Sequence, residues 1–183
     1  MELHAIECLS GPNLLLRLIQ LSDAKYAYDL RTNPLYNQNL SKVTGSVEDQ
    51  RQWLKGYKAR EAKLQELYYV IERMDRIPCG LVRLYDITDD AFTWGSWVLD
   101  ENKPRKAALE SALLSFELGF NIIDKAEAFI EVRLENERAI SFYRRFGMTQ
   151  MKKDLKSIYF KYTREHFNEN YEAYMSILHA EVC

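Results

Sequence analysis

Two short stretches of this 183-residue chain hold residue types that could do chemistry. The first carries Glu135-Asn136, Ala139, Tyr143 and Gly147-Met148. A strand-like segment, Ala126 to Val132, runs into a helix-like one, Asn136 to Phe146, with Gly147 placed to end it as a left-handed residue. Asn136 can cap that helix. Tyr143 reads, on its own, as a core tyrosine whose hydroxyl reaches solvent. The second stretch is Lys103-Pro104-Arg105-Lys106-Ala107-Ala108. It opens a long helix, expected from about Pro104 to Ile122, because proline is tolerated in a first turn. Three cations there oppose the helix dipole. A bound anion would explain them, through pairing of Lys103, Arg105 and Lys106 with phosphate. A solvated helix start is the alternative.

Other chemistries lack their residues. Cys8, Cys79 and Cys183 are scattered and form no CxxC pair, so neither a zinc framework nor a disulfide scaffold is expected. His4, His166 and His179 are far apart, and no metal site is expected. Free thiols fit a reducing cytoplasm. The formal charge is −2, with no basic surplus to attract a phosphate backbone, so no nucleic-acid partner is expected. No apolar run approaches the roughly 20 residues of a membrane span; Leu113 to Ile123 is interrupted by Glu117. Met1-Glu2-Leu3-His4 lacks the basic start of a signal peptide.

The elements that must position the two stretches follow from local pattern. His4 to Leu9 and Leu14 to Ile19 read as a hairpin around Ser10-Gly11-Pro12-Asn13. Ser22 and Asp23 open a helix to about Arg31, which Asn33-Pro34 ends. Residues 34–45 are polar and read as a loop. Ser46 and Asp49 form a capping-box start for a helix to about Leu64. Leu67 to Arg73, Cys79 to Ile87 and Ala91 to Leu99 are three meandering strands. Leu155 to Tyr162 is the last strand. Phe167, Tyr171, Tyr174, Ile177 and Leu178 form an amphipathic helical stripe between Arg164 and about Ala180. A meander followed by a strand–helix–strand step implies a mixed sheet with helices on both faces. The length fits one domain, with residues 164–183 as a C-terminal extension.

The first stretch resembles the second conserved block of the Gcn5-related N-acetyltransferases (GNAT), strand then E-N-x-x-A-x-x-x-Y-x-x-x-G-F. Glu135-Asn136, Ala139, Tyr143 and Gly147 match, with Met148 for the final Phe. The resemblance implies an α/β (α+β) GNAT fold: a mixed, mostly antiparallel, splayed sheet of the seven-strand type, with helices on both faces. It implies acetyl-CoA as cosubstrate, with Asn136 on the pantetheine arm. Tyr143 would protonate the departing thiolate. Trp94-Gly95-Ser96-Trp97-Val98 resembles the corresponding strand of the ribosomal-protein (Rim-like) acetyltransferases, so Trp97, Val98 and Leu99 are expected on the cofactor. The family's phosphate loop, Q/R-x-x-G-x-G/A, is poorly matched. Lys103 stands for Gln/Arg, Lys106 for the first glycine and Ala108 for the last position, with Ala107 between them.

Leu30-Arg31-Thr32-Asn33-Pro34 resembles a stretch of Rim-like and nucleotide-sugar acetyltransferases. It implies an acceptor pocket from Arg31, Tyr36 and the Tyr85–Asp90 region, with Asp86 the best-placed acid. No general base is assigned. The expected reaction is acetyl transfer to a small-molecule primary amine, an amino sugar that is nucleotide-linked. A protein N-terminal amine is the second acceptor class. A non-catalytic acyl-CoA-binding module of GNAT ancestry is the third reading. The C-terminal stripe must cover either its own sheet or, in a homodimer, a second subunit.

Overall fold

Residues 6–180 are described by a computed structural model of the protein. Eight strands form one sheet: β1 Cys8–Ser10, β2 Leu14–Leu18, β3 Leu67–Arg73, β4 Pro78–Tyr85, β5 Ala91–Leu99, β6 Glu127–Arg133, β7 Thr149–Lys153 and β8 Ser157–Thr163. Their spatial order is β1-β2-β3-β4-β5-β6-β8-β7. Every neighbouring pair is antiparallel except β5 and β6, which run parallel. The helices are α1 Ala24–Thr32, α2 Val47–Glu61, α3 Ala107–Glu117, α4 Glu137–Arg145 and α5 Arg164–His179.

Strand alternation divides the core. Tyr68, Val70 and Leu81 point to one face and pack with Ala27 and Leu30 of α1 and Leu54 and Tyr57 of α2. Tyr69, Ile71, Val82 and Leu84 point to the other, with Ala112 and Phe116 of α3, Ile140 and Tyr143 of α4, and Phe167 and Leu178 of α5. The fold is thus the mixed α/β sheet expected, with helices on both faces. The C-terminal stripe covers its own chain except at Ile177, which is exposed: Tyr174 stacks on Phe146 with ring centroids 4.6 Å apart.

Several details depart from the sequence pattern. The sheet has eight strands, not seven, because β7 was not expected. All five of its residues are exposed, so this edge strand carries no burial signal and is held by backbone pairing to β8. The first strand is Cys8–Ser10; Ile6 and Glu7 are helical, and His4 lies outside the described residues. The expected helix from Pro104 begins at Ala107, because Lys106 takes a left-handed conformation (φ 62°) that helices exclude. It ends at Glu117 in a wider π turn, Leu118–Ile122.

Glu110 holds the β1–β2 turn to α3. It is fully buried, and its carboxylate accepts from the Asn13 and Leu14 backbone N–H groups at 2.7 and 2.8 Å and from Asn13 Nδ2 at 3.0 Å. Gly11 is needed beside it, since a Cβ there would lie 2.5 Å from Glu110 Oε1. Glu110→Ala strands these donors, so it should lower unfolding stability by about 2–5 kcal/mol. Urea denaturation checks this; a loss below about 0.5 kcal/mol would show that the turn is held by other contacts.

Candidate active site

The parallel pair makes the site. β5 and β6 are paired only over Ala91–Thr93 and Glu127–Phe129. Beyond Thr93, β5 stays with β4 and β6 stays with β8, so the two strands part. A bulge between Leu81 and Arg83 sets two β5 residues, Ser96 and Trp97, against Val82. Ser96 takes a left-handed φ of 48° there. A bulge bends its strand and increases its twist. Here it turns the rest of β5 away from β6. The resulting wedge is lined by strand edges whose N–H and C=O groups no neighbouring strand takes up. An extended chain bearing amides can complete such an edge as an added strand would.

Because β5 and β6 run the same way, each enters its helix at the open end of the wedge. That is where open α/β sheets place ligands. At the α3 start, the backbone N–H groups of Arg105, Lys106, Ala108 and Leu109 donate to no acceptor among the described residues. Arg105 is exposed and has no ion-pair or hydrogen-bond partner among them. Four free donors, a positive dipole end and an unpaired guanidinium suit a pyrophosphate. Lys103 is exposed and donates to the Asp100 carbonyl at 3.0 Å. Lys106 departs from the expected trio: its ammonium is turned to the end of α5. Ala107 is buried under the helix start, and Ala108 is half-buried.

Asn136 caps α4, accepting from the Ala139 N–H at 3.2 Å through its side-chain oxygen. Its amide nitrogen donates to nothing among the described residues. Tyr143 is 6 % exposed. Its ring stands edge-on to Trp94 and Phe160, at centroid distances of 5.9 and 5.7 Å. Trp94 and Trp97 are themselves tied to α3 through indole N–H bonds to Ser115 and Ser111, at 2.9 and 3.1 Å. The Tyr143 hydroxyl has no hydrogen-bond partner among the described residues. Burial pushes it above the ordinary tyrosine value, so it keeps its proton at neutral pH. Val98 lies in the α1/α2-side core, whereas Trp97 packs on the Tyr143 side.

The opposite sheet face presents a second set of groups. Register places Arg83 and Tyr85 of β4, Thr93 and Gly95 of β5 and Phe129 of β6 on one face. Glu131, two residues beyond Phe129, shares it, as does its partner Tyr159. Glu131 accepts from the Ser157 hydroxyl at 2.7 Å. Gly95 lets Tyr85 lie close over β5: a Cβ would come 3.3 Å from its ring and hydroxyl. Burial pushes the Tyr85 hydroxyl upward; Arg83 pulls it down, while Asp86 and Glu131 push it up. The sequence put forward only Asp86 as an acid for the acceptor side and did not single out Glu131. The signal that could have found it is alternation, since Glu131 is an acid between the core positions Ile130 and Val132.

The acceptor residues expected from sequence are not brought together. Tyr36 donates to Glu101 at 3.0 Å, beyond the end of β5. Asp86 is exposed in a left-handed turn (φ 49°) beside the start of that strand. Nine residues of strand separate these ends, on the order of 30 Å at strand rise. Asp86 is therefore no part of a pocket with Tyr36. Arg31 is buried and donates to the Ser41 hydroxyl at 2.6 Å. Its Nε and the neighbouring Tyr68 hydroxyl are buried without hydrogen-bond partners among the described residues.

Cys79 is no nucleophile for this site, since burial pushes its thiol up to about 12. No group of three or more His, Cys, Asp or Glu among the described residues could hold a metal ion. No helix there is long and apolar enough to cross a membrane.

Comparison with known proteins agrees with this geometry. No curated protein matches the chain. Among solved structures, apo FdhC, a nucleotide-linked sugar GNAT, superposes with a TM-score of 0.85 at 36% identity, covering 91% of this chain and 96% of its own. Spermidine N-acetyltransferase from Vibrio cholerae, in complex with CoA and spermine, has a TM-score of 0.74 at 16% identity, covering 86% of this chain and 99% of its own, a likeness of fold. The family model for the acetyltransferase (GNAT) domain matches residues 13–149, a span holding the wedge, both helix starts and Tyr143. The chain belongs to the GNAT acetyltransferases and is an N-acetyltransferase.

Proposed function

We propose that the protein transfers an acetyl group from acetyl-CoA to the primary amine of a nucleotide-linked amino sugar. The observation that carries the transfer is the wedge between β5 and β6, with free backbone donors at its open end and an unpartnered Tyr143 hydroxyl at its wall. The sugar acceptor is supported by the 36% identity to a nucleotide-linked sugar GNAT over 91% of this chain. Tyr85, Phe129 and Tyr159, on one sheet face by register, offer aromatic rings to a ring-shaped acceptor. The Arg83 guanidinium lies over the Trp53 and Tyr85 rings at 5.3 and 4.8 Å and is ion-paired with the buried Glu66.

Acetyl-CoA supplies a thioester whose carbonyl carbon bonds the amine nitrogen as the carbon–sulfur bond breaks. The α3 N–H groups and Arg105 hold the pyrophosphate, with Lys103 beside them. The β5 edge through Trp97 to Leu99 aligns the arm, and Asn136 Nδ2 is free to donate to it. Glu131 accepts a proton from the amine nitrogen, directly or through water. The Tyr143 hydroxyl gives a proton to the departing sulfur. Glu131 and Tyr143 lie on opposite sheet faces beside the gap, so the acceptor and the leaving group are served from different sides.

Two measurements test the reading. Calorimetry on Lys103→Glu/Arg105→Glu should show acetyl-CoA affinity reduced at least about tenfold, the scale of lost charge-assisted contacts. Unchanged binding would remove the pyrophosphate from this loop. A panel of nucleotide-linked amino sugars, polyamines and peptides should give the highest kcat/KM with an amino sugar. Faster acetylation of a peptide N-terminus would transfer the assignment to the protein-directed class. Binding of acetyl-CoA with no transfer to any amine would mark a non-catalytic module.

A further inference from the structure

The N-cap of α3 combines two features that neither the fold nor the proposed reaction requires. Lys106 occupies a left-handed conformation, φ 62° and ψ 7°, which a glycine adopts freely and a side chain resists. Its ammonium crosses to the far end of the chain. It donates to the carbonyl oxygens of Ile177, Leu178 and Ala180, at 2.7, 3.2 and 2.6 Å. An ammonium has three donors, and here all three are used.

The acceptors are carbonyls at the end of α5, where a helix has no partners of its own and the dipole is negative. A lysine is the side chain that such an end favours. The end is itself anchored. Leu178 is buried, Tyr174 stacks on Phe146, and the Tyr174 hydroxyl donates to the Phe146 carbonyl at 2.8 Å. A fixed point therefore lies at one end of the Lys106 side chain and the free N–H groups of the α3 start at the other.

We propose that Lys106 is a positioning residue, a clamp that ties the pyrophosphate-binding loop to the end of α5 and thereby sets the affinity for acetyl-CoA. This rests on the reading of residues 103–108 as that loop. Lys106 then acts through shape: its charge is spent on α5, while its backbone N–H stays free for the ligand. The C-terminal helix becomes part of the cofactor site's frame without touching the cofactor. Contact with α5 also holds a backbone conformation that a lysine would otherwise leave.

Three full-length variants decide it: Lys106→Met, Ile177→Pro and the double variant. Methionine keeps the stem and removes the donors. Ile177 is 52% exposed, so proline there disturbs the last turn with little loss of packing. Each single variant should weaken acetyl-CoA binding roughly tenfold by calorimetry, a charge-assisted contact's scale. The KM for acetyl-CoA should rise with it, while kcat at saturation stays within about twofold. The double variant should be no weaker than either single one, since both break the same link. Lys106→Arg should recover part of the affinity.

If Lys106 instead paired with phosphate, Ile177→Pro would free its ammonium and leave affinity equal or higher, which overturns the clamp. Additive losses would overturn it too. Hydrogen exchange guards against a variant that misfolds: faster exchange confined to the ends of α3 and α5 supports the clamp. If Ile177→Pro loses protection globally, exchange in ligand-free Lys106→Met decides: faster exchange at the end of α5 supports the clamp, and unchanged exchange there overturns it. Wild-type affinity in Lys106→Met, with Lys103→Glu/Arg105→Glu still weakened, rejects the clamp and keeps the loop. Wild-type affinity in both rejects the loop and the clamp with it.

Discussion

Tyr143→Phe should cut turnover by roughly 10²–10⁴-fold, the range for a positioned proton donor, with acetyl-CoA affinity close to wild type. The ring is held by Trp94, Trp97, Phe142 and Phe160, and phenylalanine keeps that packing. Only the hydroxyl is lost, and it has no partner among the described residues to leave stranded. Burial raises its pKa, so the proton is present throughout the neutral range. A fall in kcat from loss of this proton belongs above the ordinary tyrosine value of about 10. Wild-type turnover in the phenylalanine variant would end the general-acid role. Lost binding with an unchanged rate at saturation would make Tyr143 a wall of the wedge.

Glu131→Gln should produce a loss of similar size, roughly 10²–10⁴-fold in kcat. A primary alkyl amine is mostly protonated at neutral pH, so a base must take its proton before attack. Glutamine keeps the size of the side chain and can still bond Ser157, but it cannot accept that proton. The KM for acetyl-CoA should not move, because Glu131 is on the face away from Tyr143. Activity of the glutamine variant should recover as pH rises and free amine becomes abundant, whereas wild type should gain less. Ser157→Ala should cost less than Glu131→Gln, since it frees the carboxylate without removing it. An unchanged rate in Glu131→Gln at neutral pH would leave proton removal to solvent.

Much of this was legible in the chain, because it is written in local periods. The capping box at Ser46 and Asp49 forms as its spacing implies, with the Ser46 N–H donating to Asp49 at 2.7 Å. Gly147 ends α4 at φ 79°, and the stripe of α5 forms on a helix, Arg164–His179, as its residue spacing predicts. These features need only residues three or four apart, or two apart in a strand. Asn136 and Tyr143 share a helix, so their common place at the wedge follows once that helix packs. What the sequence determined by itself is the set of elements other than the exposed edge strand β7, together with the residue block on α4.

Tertiary structure decided the rest. Glu131 lies on the face of Tyr85 because of register across three strands. Asp86 and Tyr36 part because a nine-residue strand runs between them. Glu110 stands in the first turn of α3, yet its carboxylate is used on a hairpin nearly a hundred residues away. Lys106 looks like one of three phosphate ligands, and its ammonium is instead taken by carbonyls more than seventy residues on. Local pattern states what a side chain can do. Which partner it meets depends on contacts between distant segments, and those exist only once the sheet has closed around its core.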